Sequence, residues 1–223
     1  MEFNYLSIGN DCSSARALKD LNLRTWSGPF DWTESPFDAL CACLQNNFVM
    51  FHKNVHLDDS KRNVIDDYGI KYPHDYPIKL LPGFKKSEDG FVADRLVDDN
   101  WEKYTDQAVE KYGRRIERFR NVMADKSKPI IVLYRDKYES AVIIKKILEK
   151  TYLREHIIVI VATDEKILSL NPAIIICNPE AGGKWNDKEI WNGAIQTAKQ
   201  RYHFLIMKPV VVNKLFAMRF SMA

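Results

Sequence analysis

The residue with the clearest chemical prospects in this chain is Cys12, because of what flanks it. Tyr5-Leu6-Ser7-Ile8 reads as a short buried strand, and Gly9-Asn10-Asp11 as a tight turn. Ser13 to Leu21 reads as an amphipathic helix with Ala15, Leu18 and Leu21 on one face. Cys12 therefore falls at the first turn of a helix, just past the end of a strand. Unpaired N–H groups and the positive end of the helix dipole lower a thiol pKa at such a place, which makes Cys12 the best nucleophile candidate. The alternative is a structural cysteine beneath a helix cap.

A second unusual stretch runs from Leu23 and Arg24 to Trp32. Trp26, Phe30 and Trp32 surround a Gly28-Pro29 turn and can build an apolar wall. Asp31 in this setting is partly desolvated and needs a hydrogen-bond partner. It is either a site carboxylate or a buried cap for backbone N–H groups. Arg24, Trp26, Phe30 and Trp32 are candidate substrate contacts. In a non-enzymatic binding protein the same wall would dock a partner.

Polar residues also gather where apolar strands end. Arg135 and Asp136 follow one such strand, Thr163-Asp164-Glu165 a second, and Asn178 to Lys184 a third. Arg135 and Lys184 could hold phosphates and Asp164 a ribose hydroxyl, as in a transferase acting on a nucleotide-activated sugar. Gly182-Gly183-Lys184 lacks P-loop spacing and no GxGxxG occurs, so each residue alone is an ordinary loop residue. His52 and His56 would share a helix face, with Asp58 or Asp59 the nearest third ligand, but there is no HExxH pattern. Neither a metal nor a cofactor is expected. Arg114, Arg115, Arg118 and Arg120 could grip an anion; the simpler reading pairs them along a helix with Glu110 and Glu117.

The elements that must position these residues fall in two textures. Residues 1–100 are irregular and rich in aromatics, Asp and Pro, with a helix over about 36–48 that is N-capped by Ser35 and has Pro36 at its first position. Residues 53–67 and 84–100 read as surface loops, one of them a possible lid. Residues 101–207 read as regular α/β: a helix from Trp101 to Asp125, a strand over 129–134, a helix over 138–152, and strands over 157–161 and 173–177. A helix over about 187–199 follows, with Asn186 and Glu189 placed as a capping box, and Phe204–Met207 reads as a last strand. Unbroken β-branched runs alternating with helices indicate strands buried on both faces of a parallel sheet. The expected fold is a single three-layer α/β domain with a mainly parallel central sheet, an irregular aromatic-rich N-terminal part over its carboxyl edge, and a tail from 208 to 223. If Tyr5–Ile8 joins that sheet, Cys12 lies at the carboxyl edge, where ligand sites of open α/β sheets form.

The 223 residues carry a formal charge of +3, too small to argue for nucleic acid. The tail cations Lys199, Arg201, Lys208, Lys214 and Arg219 read as a solvated edge. The four cysteines form no CxxC pair, and Cys41 and Cys177 read as small buried hydrophobes. With no signal peptide expected and no membrane-length apolar run, a reducing, cytoplasmic setting is the default expectation. Oligomeric state is not legible.

The run Ser7-Ile8-Gly9-Asn10-Asp11-Cys12, then Leu23-Arg24, then Ser27-Gly28-Pro29-Phe30-Asp31-Trp32 resembles a family of domains of unknown function described as putative papain-like cysteine peptidases. Pro73-His74-Asp75-Tyr76 is similar to its His-Asp element, and Arg114 to Phe119 to its Arg-rich one. The resemblance implies a Cys-His dyad, with Cys12 as nucleophile, His74 as general base, Asp31 or Asp75 orienting the imidazole, and the helix N-terminus holding the oxyanion. It implies a thiol-dependent hydrolase or acyl-transfer enzyme acting on a peptide or small molecule. Papain-like folds follow the nucleophile helix with an antiparallel sheet, whereas the second half here reads as parallel.

Overall fold

The β-branched runs do assemble as parallel strands. The computed structural model describes residues 2–80, 82, 95–169, 171–178 and 188–220, with 206–220 as backbone alone. In chain order the elements are β1 (Asn4–Gly9), α1 (Ser13–Asp20), α2 (Phe37–Gln45), β2 (His56–Leu57), β3 (Val64–Ile65), β4 (Ile78–Leu80) and β5 (Arg95–Val97). A 3-10 turn (Trp101–Tyr104) leads into α3 (Thr105–Ala124), followed by β6 (Ile130–Arg135), α4 (Tyr138–Thr151), β7 (Ile157–Ala162), β8 (Ile174–Cys177) and α5 (Lys188–Phe220). Strands β1, β6, β7 and β8 form one four-stranded sheet in that order, every pairing parallel. Within the expected loops 53–67 and 84–100, β2 pairs with β3 and β5 pairs with β4 in short antiparallel ladders.

The pleat sorts the apolar strand residues onto two faces. Leu6, Ile8, Val132, Tyr134, Val159, Val161 and Ile174 pack with α2, α3 and α4. Ile131, Leu133, Ile158, Ile160, Ile175 and Cys177 pack with Ala17 and Leu18 of α1 and with Trp191, Ile195 and Ala198 of α5. The result is a three-layer α/β fold. Each of these Ile, Val and Leu side chains contributes about 1.5–3 kcal/mol by leaving water, which is why the runs need no alternation with polar residues.

Three local expectations change. Phe204–Met207 continues α5 and is helical, because a short apolar run has the same composition in a strand as in a buried helix. Pro36, not Ser35, is the N-cap residue of α2, and the Ser35 hydroxyl pairs with that of Thr33 at 2.9 Å. Cys41 is only half-buried, whereas Cys43 and Cys177 are buried; all four thiols are free. Asn186 of the expected capping box lies outside the described residues.

The irregular part does more than cover the edge of the sheet. Phe30, Phe48, Phe51, Tyr72, Tyr76, Tyr112, Trp101 and Phe119 join the core of one face. His52, 3 % exposed, sits within this aromatic cluster, its Nε2 2.9 Å from the Tyr76 hydroxyl and its ring 4.5 Å from that of Tyr72. His56 is exposed, on β2, with Nδ1 3.1 Å from the Asn54 carbonyl. The two histidines are therefore not on one helix face, and among the described residues no group of three His, Cys, Asp or Glu is placed to hold a metal ion.

Burial lowers the His52 pKa from 6.5 to about 4. Between those values the unfolded chain binds a proton that the folded chain does not, so the stability held above pH 6.5 is lost as the pH falls toward 4. We expect wild type to lose ~3 kcal/mol more than His52→Phe over that interval, read by urea unfolding at several pH values.

Candidate functional site

Strand β1 delivers Cys12 to the carboxyl edge of the sheet. At the last β1–β6 pair, Gly9 faces Arg135 with φ +151°, and a Cβ there would lie 3.1 Å from the Arg135 nitrogen. Only glycine suits that backbone, so the turn to α1 is set where the strand ends. Cys12 is the N-cap residue of α1. The Ser13 N–H donates to Asp11 Oδ1 at 2.9 Å, and the other oxygen of Asp11 pairs with Arg135. Asp11 thus takes the first N–H of the helix end that was expected to serve an oxyanion.

Two long-range ties bring the remaining site residues to Cys12. The Ser35 N–H donates to the Gly9 carbonyl at 3.4 Å, fastening the segment after Trp32 to the end of β1. Glu34 and Lys71 exchange backbone hydrogen bonds of 3.1 and 2.9 Å as an antiparallel bridge, and their side chains pair at 3.0 Å. Trp32 stands two residues before Glu34 and His74 three after Lys71, so the bridge brings the two segments side by side. The rings of Trp32 and His74 meet edge to face, centroids 5.9 Å apart at 84°. His74 Nε2 lies 3.5 Å from Cys12 Sγ.

The two aspartates have other work. Asp31 is buried and accepts from the Ser7 hydroxyl at 2.5 Å, the Arg24 Nε at 2.7 Å and the Gly28 N–H at 3.1 Å. A Cβ on Gly28 would stand 3.1 Å from Asp31 Oδ1. Asp75 pairs with Lys111 and accepts from the Tyr112 hydroxyl at 2.6 Å. Neither carboxylate hydrogen-bonds the imidazole. The Arg24 guanidinium, also donating to Ser27 Oγ at 2.8 Å, lies 5.5 Å from the Trp32 ring centroid. Phe30 is buried and Trp26 half-buried, so the expected aromatic wall is mainly core and not a continuous outer surface.

The electrostatics differ from those of an isolated helix end. Burial pushes the Cys12 thiol up, the Asp11 and Glu34 charges add to this, and the residue's own N–H and Arg95 oppose it. His74 keeps an exposed edge, yet crowding around the rest of its ring lowers its pKa, and the Arg95 charge lowers it further against Asp75 and Glu34. Both shifts favour the uncharged forms, a thiol beside a neutral imidazole. The expected depression of the thiol is overturned because desolvation outweighs the helix terminus. Arg95, buried on β5, and Glu34 are site residues missed in sequence. A lone arginine in a charged stretch carries no periodic signal of the partner strand that draws it inward.

A cleft of about 440 Å³ adjoins at the carboxyl ends of β1, β6 and β7, lined by Asn10, Asp11, Arg135, Lys137, Asp164 and Glu165 among others. Arg135 and the start of α4 are already engaged there. Arg135 pairs with Asp11, and Glu165 accepts from the Tyr138 N–H at 2.8 Å, at the start of α4. Asp164 is exposed at its rim, and Lys184 lies outside the described residues.

These features define a three-layer α/β protein with a cysteine–histidine pair at the carboxyl edge of its parallel sheet. The chain belongs to the family described as Putative papain-like cysteine peptidase (DUF1796), whose model matches residues 3–168. No curated protein and no solved structure matches it.

Removing the Asp31 carboxylate leaves the Arg24 guanidinium, the Ser7 hydroxyl and the Gly28 N–H without their acceptor. We expect Asp31→Ala to destabilise the protein by ~3–5 kcal/mol, measured by urea unfolding.

Proposed function

We propose that this protein is a cysteine-dependent hydrolase or acyl-transfer enzyme with Cys12 as nucleophile and His74 as general base. The observation that carries this reading is the 3.5 Å approach of Cys12 Sγ to His74 Nε2 at the sheet edge. Family membership supports cysteine hydrolase chemistry at the family level. Because both shifts favour the uncharged forms, the proton moves as the bond forms. Sγ attacks a carbonyl carbon, the S–H proton passes to Nε2, and the carbonyl oxygen takes up the displaced electron pair. The imidazolium then protonates the leaving group as its bond to carbon breaks. The resulting thioester passes its acyl group to water or to another nucleophile, whose proton passes to His74 and from there to the departing Sγ.

A second reading, a nucleotide-sugar-dependent transferase, draws on the adjoining cleft with Arg135 and Asp164 on its lining. It ranks lower because Asp11 already pairs with Arg135 and Glu165 already takes the Tyr138 N–H at the start of α4. Thermal shift against nucleotides and nucleotide sugars tests it, with no concentration-dependent stabilisation expected.

The pH dependence of Cys12 alkylation by iodoacetamide, followed by peptide mass spectrometry, tests the first reading. Below the pKa of His74 the imidazole is protonated and cannot accept, so the rate is low. Above it the wild-type rate holds a plateau, and it rises again as the thiol itself ionises. We expect His74→Ala to lose the plateau by about 100-fold and to keep only the alkaline limb. Superimposable wild-type and His74→Ala profiles would remove the general-base role.

A further inference from the structure

We propose that Trp32 and Arg24 are positioning residues that hold the His74 imidazole against Cys12, the task a carboxylate performs in a Cys-His-Asp arrangement. This rests on the dyad reading above and names what keeps the dyad assembled. The imidazole needs such a support. His74 is exposed, an exposed side chain samples several rotamers, and the acceptor atoms of Asp31 and Asp75 are turned to other donors. Its ring contact is the edge-to-face meeting with Trp32 at 5.9 Å. Trp32 is itself only half-buried and needs backing.

Arg24 supplies that backing through a chain of progressively better-held groups. Its guanidinium lies 5.5 Å from the Trp32 centroid. The guanidinium is fixed by the Asp31 carboxylate at 2.7 Å and the Ser27 hydroxyl at 2.8 Å. Asp31 is anchored to Ser7, in the same strand that carries Cys12 to the sheet edge. The nucleophile and its base are thus referenced to one element, β1. Cys12 follows it directly, and His74 is referred back to it through Trp32, Arg24 and Asp31. The Glu34–Lys71 bridge brings Trp32 and His74 to the same place, and the ring contact fixes the orientation.

An aromatic support differs chemically from a carboxylate. It constrains the plane of the imidazole without placing a full negative charge beside it. A carboxylate on the second nitrogen would favour the imidazolium and keep the base protonated to higher pH. The Trp32 ring holds geometry and leaves the imidazole free to accept a proton near neutrality. The Leu23-Arg24 and Pro29-Phe30-Asp31-Trp32 residues are then one device, with Asp31 as its anchor and Trp32 as its working face.

The test is the same alkylation profile with Trp32→Leu, Trp32→Phe and Arg24→Gln, each checked for folding by circular dichroism. We expect Trp32→Leu to lower the His74-dependent plateau by about three- to tenfold while the alkaline limb, which needs no base, stays at the wild-type rate. Trp32→Phe, which keeps an aromatic ring, restores most of the plateau, and Arg24→Gln lowers it less than Trp32→Leu. A folded Trp32→Leu protein with a plateau of wild-type height overturns the proposal. Should Trp32→Leu not fold, a folded Arg24→Gln protein with the full plateau overturns it, and one with a lowered plateau supports it. Failure of the dyad reading looks different: the wild-type plateau would then survive His74→Ala, whatever stands at position 32.

Discussion

The buried carboxylate of Asp31 is the constraint on which the rest of this structure leans. It is 4 % exposed and has three donors: a strand hydroxyl, a guanidinium and a turn N–H. A charge taken out of water is tolerated only when such donors replace its hydration. Satisfying it forces Ser7 of β1, Arg24 beyond α1 and the Gly28 turn into one small volume. That convergence ties the loop after α1 to the central sheet, and the indole of Trp32 comes to rest next to it. The aromatic packing of Phe30 against Phe48 and Phe51, with centroids 5.6 and 5.7 Å away, grows outward from the same point.

The family description and the architecture point to different comparisons. Papain-like enzymes are described by a chemistry and by an antiparallel sheet, and this protein has a parallel one. A cysteine–histidine pair asks only for a thiol, an imidazole in reach and a cavity for substrate, and such constellations recur on unrelated scaffolds. The carboxyl edge of a parallel sheet is a ready place for one, since strands end there and successive loops converge.

Much of the fold was legible because its signals are local. The runs Ile130–Tyr134 and Ile157–Val161 declare two-sided burial, and the strand–turn–helix around Cys12 places the thiol at the sheet edge from ten or so residues of context. The partner of that thiol was legible only through the family pattern, for periodicity says nothing about where a loop lands. The Glu34–Lys71 bridge that brings Trp32 beside His74 joins segments far apart in the chain, and Arg95 reaches the site through pairing of β5 with β4. Neither pairing has a short-range signature. The direction of the thiol pKa was misread for a related reason. The helix end could be seen in the sequence, while the burial and the two neighbouring carboxylates that outweigh it are products of tertiary structure. Asp75 was read as a candidate orienter of the imidazole from its adjacency to His74, but the chain direction turns it toward Lys111 and Tyr112 of α3.

The burial and neighbouring charges that favour the protonated form of Cys12 have a consequence for how the sulfur survives. Peroxides oxidise thiolates far faster than thiols, and the first product, a sulfenic acid, opens the way to irreversible sulfinic and sulfonic forms. A sulfur kept protonated gives oxidants little to attack, although it sits half-exposed at the carboxyl edge of the sheet. The surroundings that delay its ionisation thus act as a chemical shield, which the proposed reaction would lift only when a bound electrophile draws the proton across to the imidazole.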